Sequence, residues 1–154
     1  MIKQKRGKYR KAVFIPCYYI DKNGNIFYLI LKRKLHWIGF EFPKGGIEEK
    51  ETNLEIAKRE VKEETGQNPI LIKNHKIKGS YKYPKIFADR PGIIGQTYHL
   101  FSAQLKSKKI KIDKTEHSDY LWLDYKEALK KLTFKEQKKC LKFVNKYLMK
   151  QKIK

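Results

Sequence analysis

Hydrophobic and polar positions along the chain predict strands first and helices last. Ala12–Tyr19 and Ile26–Lys32 are β-branched and aromatic runs, and the Asn23-Gly24 turn pair between them makes the two a hairpin. His36 to Gly46 mixes aromatics, a proline and glycines, and reads as a shaped loop. Over Thr52–Thr65 the signals are helical: Thr52 and Glu55 form a capping-box pair, Leu54, Ala57 and Val61 make a narrow apolar stripe, and Gly66 is the stop. Further strands are expected at Ile70–Ile77, Thr97–Leu105 and Tyr120–Leu123, with Tyr81–Gln96 largely loop because of its prolines and glycines. Tyr125–Leu132 is a short helix, and Thr133-x-x-Glu136 opens a last one with Phe134, Leu141, Val144 and Leu148 on a common face. No internal repeat or linker interrupts the pattern. The expectation is a mixed sheet with helices packed on it, an α/β or α+β fold, in a single domain spanning residues 1–154.

Composition narrows the class. A chain of 154 residues with 40% hydrophobic and 13% aromatic content can bury a core without disulfides or a structural metal. There is no run of about 18 apolar residues, so no membrane span is expected. The charged start has no apolar run behind it, so no signal peptide is expected either. Cys17 and Cys140 lie far apart and read as reduced core thiols of a cytoplasmic protein. His36, His75, His99 and His117 show no pairing that suggests zinc, and nothing implies a protein partner.

Charge changes the picture most. The chain carries 37 Lys+Arg against 16 Asp+Glu, a formal net charge of +21. Six bases fall in residues 1–11, which read as a basic arm, and eleven lysines against two glutamates fall in Lys126–Lys154. Against this background Glu41–Glu64 holds eight acids and five bases, half of all the carboxylates in 24 residues. Within it, Glu60, Glu63 and Glu64 share one face of the predicted helix by their spacing, turned away from Leu54, Ala57 and Val61. Like charges about 6 Å apart cost on the order of 2–3 kcal/mol per pair at an effective dielectric near 20. The helix dipole also disfavours anions in the last turn, where Glu63 and Glu64 stand. A row that breaks local rules marks a functional site, and a hard cation such as Mg²⁺ removes the penalty.

Gly45, Glu51 and the block Arg59-Glu60-Val61-Lys62-Glu63-Glu64-Thr65-Gly66 stand at fixed separations. This arrangement resembles the signature of the Nudix hydrolases, with Gln67 where that family usually carries a bulky aliphatic. The resemblance implies a three-layer α/β/α sandwich around a mixed β-sheet and cleavage of a phosphoanhydride in a nucleoside diphosphate linked to another group. It implies that Glu60, Glu63 and Glu64 are the main Mg²⁺ ligands, with Mn²⁺ as a substitute. Arg59 would orient them, Glu51 would be an outer or additional ligand, and Gly45 and Gly46 would let backbone approach the metal. The general base stays open between the box glutamates, Glu63 and Glu64 among them, and Glu116 outside the box.

Two groups within the family are similar to this chain. Trp37 with Phe42-Pro43-Lys44-Gly45-Gly46, and Tyr120-Leu121-Trp122-Leu123 followed by Tyr125 to Lys135, resemble the asymmetrical diadenosine tetraphosphate hydrolases. Gly7-x-Tyr9-Arg10, Trp37-x-x-x-x-Phe42-Pro43-x-Gly45-Gly46 and Gly95-Gln96 are similar to the RNA 5′-pyrophosphohydrolases. The chain resembles the first group most, so the leading expectation is a dinucleoside polyphosphate split into ATP and AMP; the second likeness implies a triphosphorylated RNA end as the alternative, and a third reading is a non-catalytic RNA-binding module. Lys44, Lys32, Arg33, Lys82 and Lys85 are candidate phosphate contacts, and Tyr81, Tyr83 or His99 candidates for stacking on a base. Trp122 and Phe134 read as packing.

Overall fold

The computed structural model describes residues 7–35, 37–47, 50–83 and 91–153. Among the described residues, eight strands form one mixed sheet: β1 (Lys8–Phe14), β2 (Cys17–Ile20), β3 (Ile26–Arg33), β4 (Gly39–Glu41), β5 (Lys44–Gly46), β6 (Leu71–Lys82), β7 (Ile93–Gln104) and β8 (His117–Leu123). The described helices are α1 (Asn53–Thr65), α2 (Tyr125–Lys131) and α3 (Lys135–Ile153). The long strand β7 organises the sheet. One of its edges pairs in parallel with β1 and then β2, and the other pairs antiparallel with β6. β5 extends from β1, while β3 carries β2, β4 and β8.

Several expectations are corrected here. The run Ala12–Tyr19 is two strands: Pro16 has no N–H for the ladder, and the chain breaks there, with the Pro16 carbonyl still accepting from Ala103 N–H. The basic arm shortens, because Lys8–Lys11 belong to β1; residues 1–6 lie outside the described residues. The shaped loop contains the short strands β4 and β5, and β6 and β7 enter the expected loop 81–96 from its two ends, pairing as far as Lys82↔Gly95, while residues 84–90 lie outside the described residues. In the two expected loops, ladder pairing overrides local turn signals.

Two cores lie on opposite faces of the sheet. On one, Phe14, Tyr28, Ile30, Phe42, Tyr98 and Leu100 pack against Ala128, Leu132, Leu141, Val144 and Leu148 of the α2–α3 segment. Phe14 and Tyr98, from neighbouring strands, stack with centroids 4.4 Å apart. On the other, Val13, Ile15, Leu29, Leu31 and Phe101 pack against Ile56, Ala57 and Val61 of α1. Helix, sheet, helix is the expected three-layer sandwich. Leu54 departs from the expected stripe: in the first turn of α1 it is 42% exposed, and Ile56 packs in its stead. Among the described residues, no helix is long and apolar enough to cross a membrane.

Candidate active site

α1 sets the geometry. At its start Thr52 Oγ1 accepts the Glu55 N–H at 3.1 Å and lies 3.1 Å from Glu55 Oε1, and at its end Gly66 takes a φ of +78° and donates to the Lys62 carbonyl. Side chains repeat about every 100° along a helix. Glu64, seven residues after Ala57, therefore falls within the apolar stripe and is buried, against the expectation that all three carboxylates turn away from it. Glu60 sits half-buried beside it, while the Glu63 side chain is 54% exposed. The predicted row is split, with two carboxylates facing in and one facing out.

Arg59 spans the split. Its Nε donates to both Glu51 oxygens at 3.1 and 3.2 Å, and its Nη1 reaches Glu60 Oε1 at 2.9 Å and Glu63 Oε1 at 3.3 Å. The Glu51 hydrogen bonds, foremost, hold the guanidinium above its ordinary pKa. β5 lies beneath, and a β-carbon on Gly45 would overlap the Glu60 carboxyl, so only glycine lets that carboxylate rest on the strand. A β-carbon on Gly46 would stand 2.9 Å from Arg10 Nη2. The Lys44 backbone N–H donates to Glu64 Oε2 at 3.2 Å.

Glu116 comes from the far side. It precedes β8, its carbonyl accepts from Lys34 and Leu35 N–H, and the β3–β8 ladder sets Arg33 opposite His117. Ligand atoms of Glu64, Glu116 and His117 all lie within 4.8 Å of one another. Beneath them is a buried charge network that no sequence motif announces. Glu41 Oε2 accepts from Arg33 Nη1 at 3.0 Å and pairs with His117 Nε2 at 2.7 Å, and Lys44 Nζ stands 3.5 Å from Oε1. Burial, the largest influence on Glu41, would raise its pKa, but Lys44, the His117 hydrogen bond and Arg33 together hold it at about 2. Burial lowers the Lys44 ammonium, with Glu41 opposing.

Glu60 and Glu64 behave oppositely to Glu41. Burial, then the charge of Glu63, pushes Glu60 up to about 7 despite Arg59. Glu64 is raised well above the usual carboxylate range, first by burial and then by Glu41, Glu60 and Glu116. Clustered hard oxygens at such positions fit a divalent cation, whose charge would reverse both shifts. A cleft of about 320 Å³ opens beside them, lined by Arg10, Lys11, Arg33 and Lys44 together with Glu60, Glu116, Gly45, Gly46, Ile47 and Gln96. Acid and base in one cleft suit a polyphosphate carried with its metal.

The other candidates are placed unevenly. Tyr81 donates through its hydroxyl to Gln96 Oε1 at 2.7 Å and lies among Phe14, Tyr83 and Phe134. Phe134 meets Trp37 edge-on at 4.8 Å, and the Arg33 guanidinium lies 5.7 Å over Trp37. An aromatic group thus adjoins the cleft through Arg33 and Gln96. His99 lines a second cleft with Lys78, Ser80 and Thr97, and Lys32 and Lys82 are exposed away from the first. Lys85 and His36 lie outside the described residues. Trp122 packs in the second core and donates to the Lys108 carbonyl, as a packing residue should. Gln67, at the position of the missing aliphatic, donates through Nε2 to the Ser107 and Lys109 carbonyls, pinning the loop after β7 to the end of α1. Of the residues outside the predicted set, Glu41 carried a signal: an acid flanked by Phe40 and Phe42 needs buried partners.

Comparison with known proteins fits this geometry. The family profile of the NUDIX domain matches residues 8–143. The chain is 35% identical over 115 residues to the RNA pyrophosphohydrolase of a Nitratiruptor species, covering 70% of this chain and 74% of that protein. It is 26% identical over 156 residues to the RNA pyrophosphohydrolase of Francisella tularensis subsp. mediasiatica, covering 93% and 97%. Among solved structures, a C. elegans Ap4A hydrolase binary complex superposes with a TM-score of 0.72 at 21% identity, over 91% of this chain and 98% of that one. With its box, its sandwich and these relatives, the chain belongs to the Nudix family and is a Nudix hydrolase.

Proposed function

We propose that this hydrolase removes pyrophosphate from the 5′-triphosphate end of RNA. One observation carries the reading. Arg10 and Gln96, from two of the three segments similar to RNA 5′-pyrophosphohydrolases, are register partners on β1 and β7, and both line the cleft beside Glu60 and Glu116. The relatives at 26–35% identity, each named an RNA pyrophosphohydrolase, support the same choice. The other likeness is divided: Trp122, Leu123, Ala128 and Leu132 pack the two cores, whereas Lys44, Gly45 and Gly46 line the cleft and Trp37 and Phe134 belong to the aromatic group beside it.

In this reading Glu60 and Glu64 would hold Mg²⁺, with Mn²⁺ able to replace it, and Arg59 fixes Glu60 while tying Glu51 and Glu63 as an outer rank. A bound divalent cation neutralises phosphate oxygens and makes water a competent nucleophile at neutral pH. Glu116, next to Glu64 and open to the cleft, accepts the proton of the attacking water. Arg10, Lys11, Arg33 and Lys44 meet the phosphate charge, and Gly45 and Gly46 keep the cleft floor free of side chains. Glu41 and His117 position Arg33 and Lys44 from below.

A second reading, asymmetric cleavage of diadenosine tetraphosphate into ATP and AMP, draws on the aromatic group Trp37, Tyr81, Tyr83 and Phe134. Product analysis with Mg²⁺ separates the two. Pyrophosphate release from triphosphorylated RNA with slow dinucleotide cleavage is expected; rapid ATP and AMP production with inert RNA would overturn the first reading. Turnover of neither, with RNA still bound, would leave only the non-catalytic binding module.

A further inference from the structure

We infer that the outer face of α3 binds the body of the RNA, downstream of the 5′ end held in the cleft; the inference rests on the proposed RNA substrate. The helix begins where the cleft's aromatic group ends. Phe134, in contact with Trp37 and Tyr81, directly precedes it, and Thr133 and Gln137 tie its start to β4 through Phe40 and Phe42 N–H. From there it runs 19 residues, a length of roughly 28 Å at 1.5 Å per residue.

Leu141, Val144 and Leu148 face the sheet. On the opposite side Lys135, Lys139, Lys142, Lys146 and Lys150 recur at intervals of three or four, which places them on one stripe. Among the described residues the only ion pair of this stripe is Lys139 with Glu136 at 3.9 Å. A merely solvated helix face mixes signs, so that i and i+4 attract; this one repels itself along its length. Phe143 stands in the stripe and is 41% exposed. Beside it, a bulge in β6 with Lys76 at a φ of +55° sets the His75 ring nearly perpendicular to the Phe143 and Tyr147 rings, and Lys73 lies over Tyr147. Ammonium groups in a row with the half-exposed Phe143 ring among them match a single strand, whose phosphates repeat and whose unpaired bases stack. A dinucleotide held in the cleft is too short to use this surface.

The test uses the full chain with three ligands: a 5′-hydroxyl RNA 12-mer for binding by fluorescence anisotropy, and a triphosphorylated 12-mer and dinucleotide for turnover. Lys142→Glu with Lys146→Glu should weaken 12-mer binding at least ten-fold at low salt. It should also flatten the log–log salt dependence by about 1.4, since each single-strand phosphate contact contributes about 0.7. The ratio of kcat/KM for the 12-mer to that for the dinucleotide should fall about ten-fold, with the dinucleotide value unchanged. Phe143→Ala should weaken binding less and leave the salt slope intact. The control Lys106→Glu with Lys109→Glu, the same charge change on the exposed loop after β7, should do neither. Equal effects of test and control pairs, or a 12-mer bound no differently by the Lys142/Lys146 variant, would overturn the inference. If the 12-mer binds through α3 while no triphosphorylated RNA is cleaved, the binding surface stands and the proposed reaction falls.

Discussion

α1 and α3 pack on opposite faces of one sheet, and each carries a row of like charges, yet the two rows are used in opposite directions. On α1 the charges turn inward: Glu64 is 3% exposed, Glu60 is half-buried, and their repulsion is held by Arg59 and by the depth of the site. On α3 the lysines turn outward, where water and salt screen them. The same violation of helix rules therefore costs much on α1 and little on α3. The difference lies in what surrounds each row, not in the row itself.

The largest expected effects are catalytic and confined to the α1 side. Glu116→Gln should lower kcat by about 10²–10⁴ with a much smaller change in KM, the range for removing a general base. Glu64→Gln should abolish the rise in melting temperature that Mg²⁺ gives the wild type, measured by thermal scanning with and without EDTA. Wild-type behaviour of either variant in its assay would remove that residue from its role.

Next comes the buried network beneath the site. Glu41→Ala strands Arg33, His117 and Lys44 without their common partner, and the cost should be about 3–5 kcal/mol in urea unfolding. A loss below about 1 kcal/mol would mean that the network is wetter than its burial implies.

pH should sharpen the contrast, because the two sides respond with opposite signs. In metal-free buffer, the fold binds the Glu60 proton more tightly than the unfolded chain does, its pKa being about 7 rather than 4.5. Stability from this group therefore falls as pH rises from about 4.5 to 7 and is steady above. Glu60→Gln should gain on wild type across that window, by up to about 3 kcal/mol, and added Mg²⁺ should erase the gain. His75, packed on α3, is lowered from 6.5 to about 4, first by burial and then by Lys73, so its contribution is lost as pH falls through that range. His75→Gln should flatten the acid side of the stability curve and leave the neutral side alone. The smallest effect belongs to the α3 stripe: Lys142→Ala with Lys146→Ala should change unfolding free energy by no more than about 0.5 kcal/mol.

Legibility in the sequence divides along the same line. The capping residue Thr52, the stop at Gly66 and the spacing of Arg59, Glu60, Glu63 and Glu64 are local, and the structure repeats them. The burial of Glu64 is equally legible from its place seven residues after Ala57, although grouping the three carboxylates as one face hides it. The break at Pro16 can also be read from the residue alone. By contrast, nothing local announces that Arg10 faces Gln96, that His117 meets Glu41 across 76 residues, or that Glu116 reaches Glu64.

The sequence by itself determined the family, the helix that carries the carboxylates and the excess of positive charge, because each depends on residue type and short spacing. Only the tertiary structure decided which carboxylates face the cleft and which cations face them. Those outcomes rest on strand register and on desolvation, and both arise only when distant segments of the chain pack together.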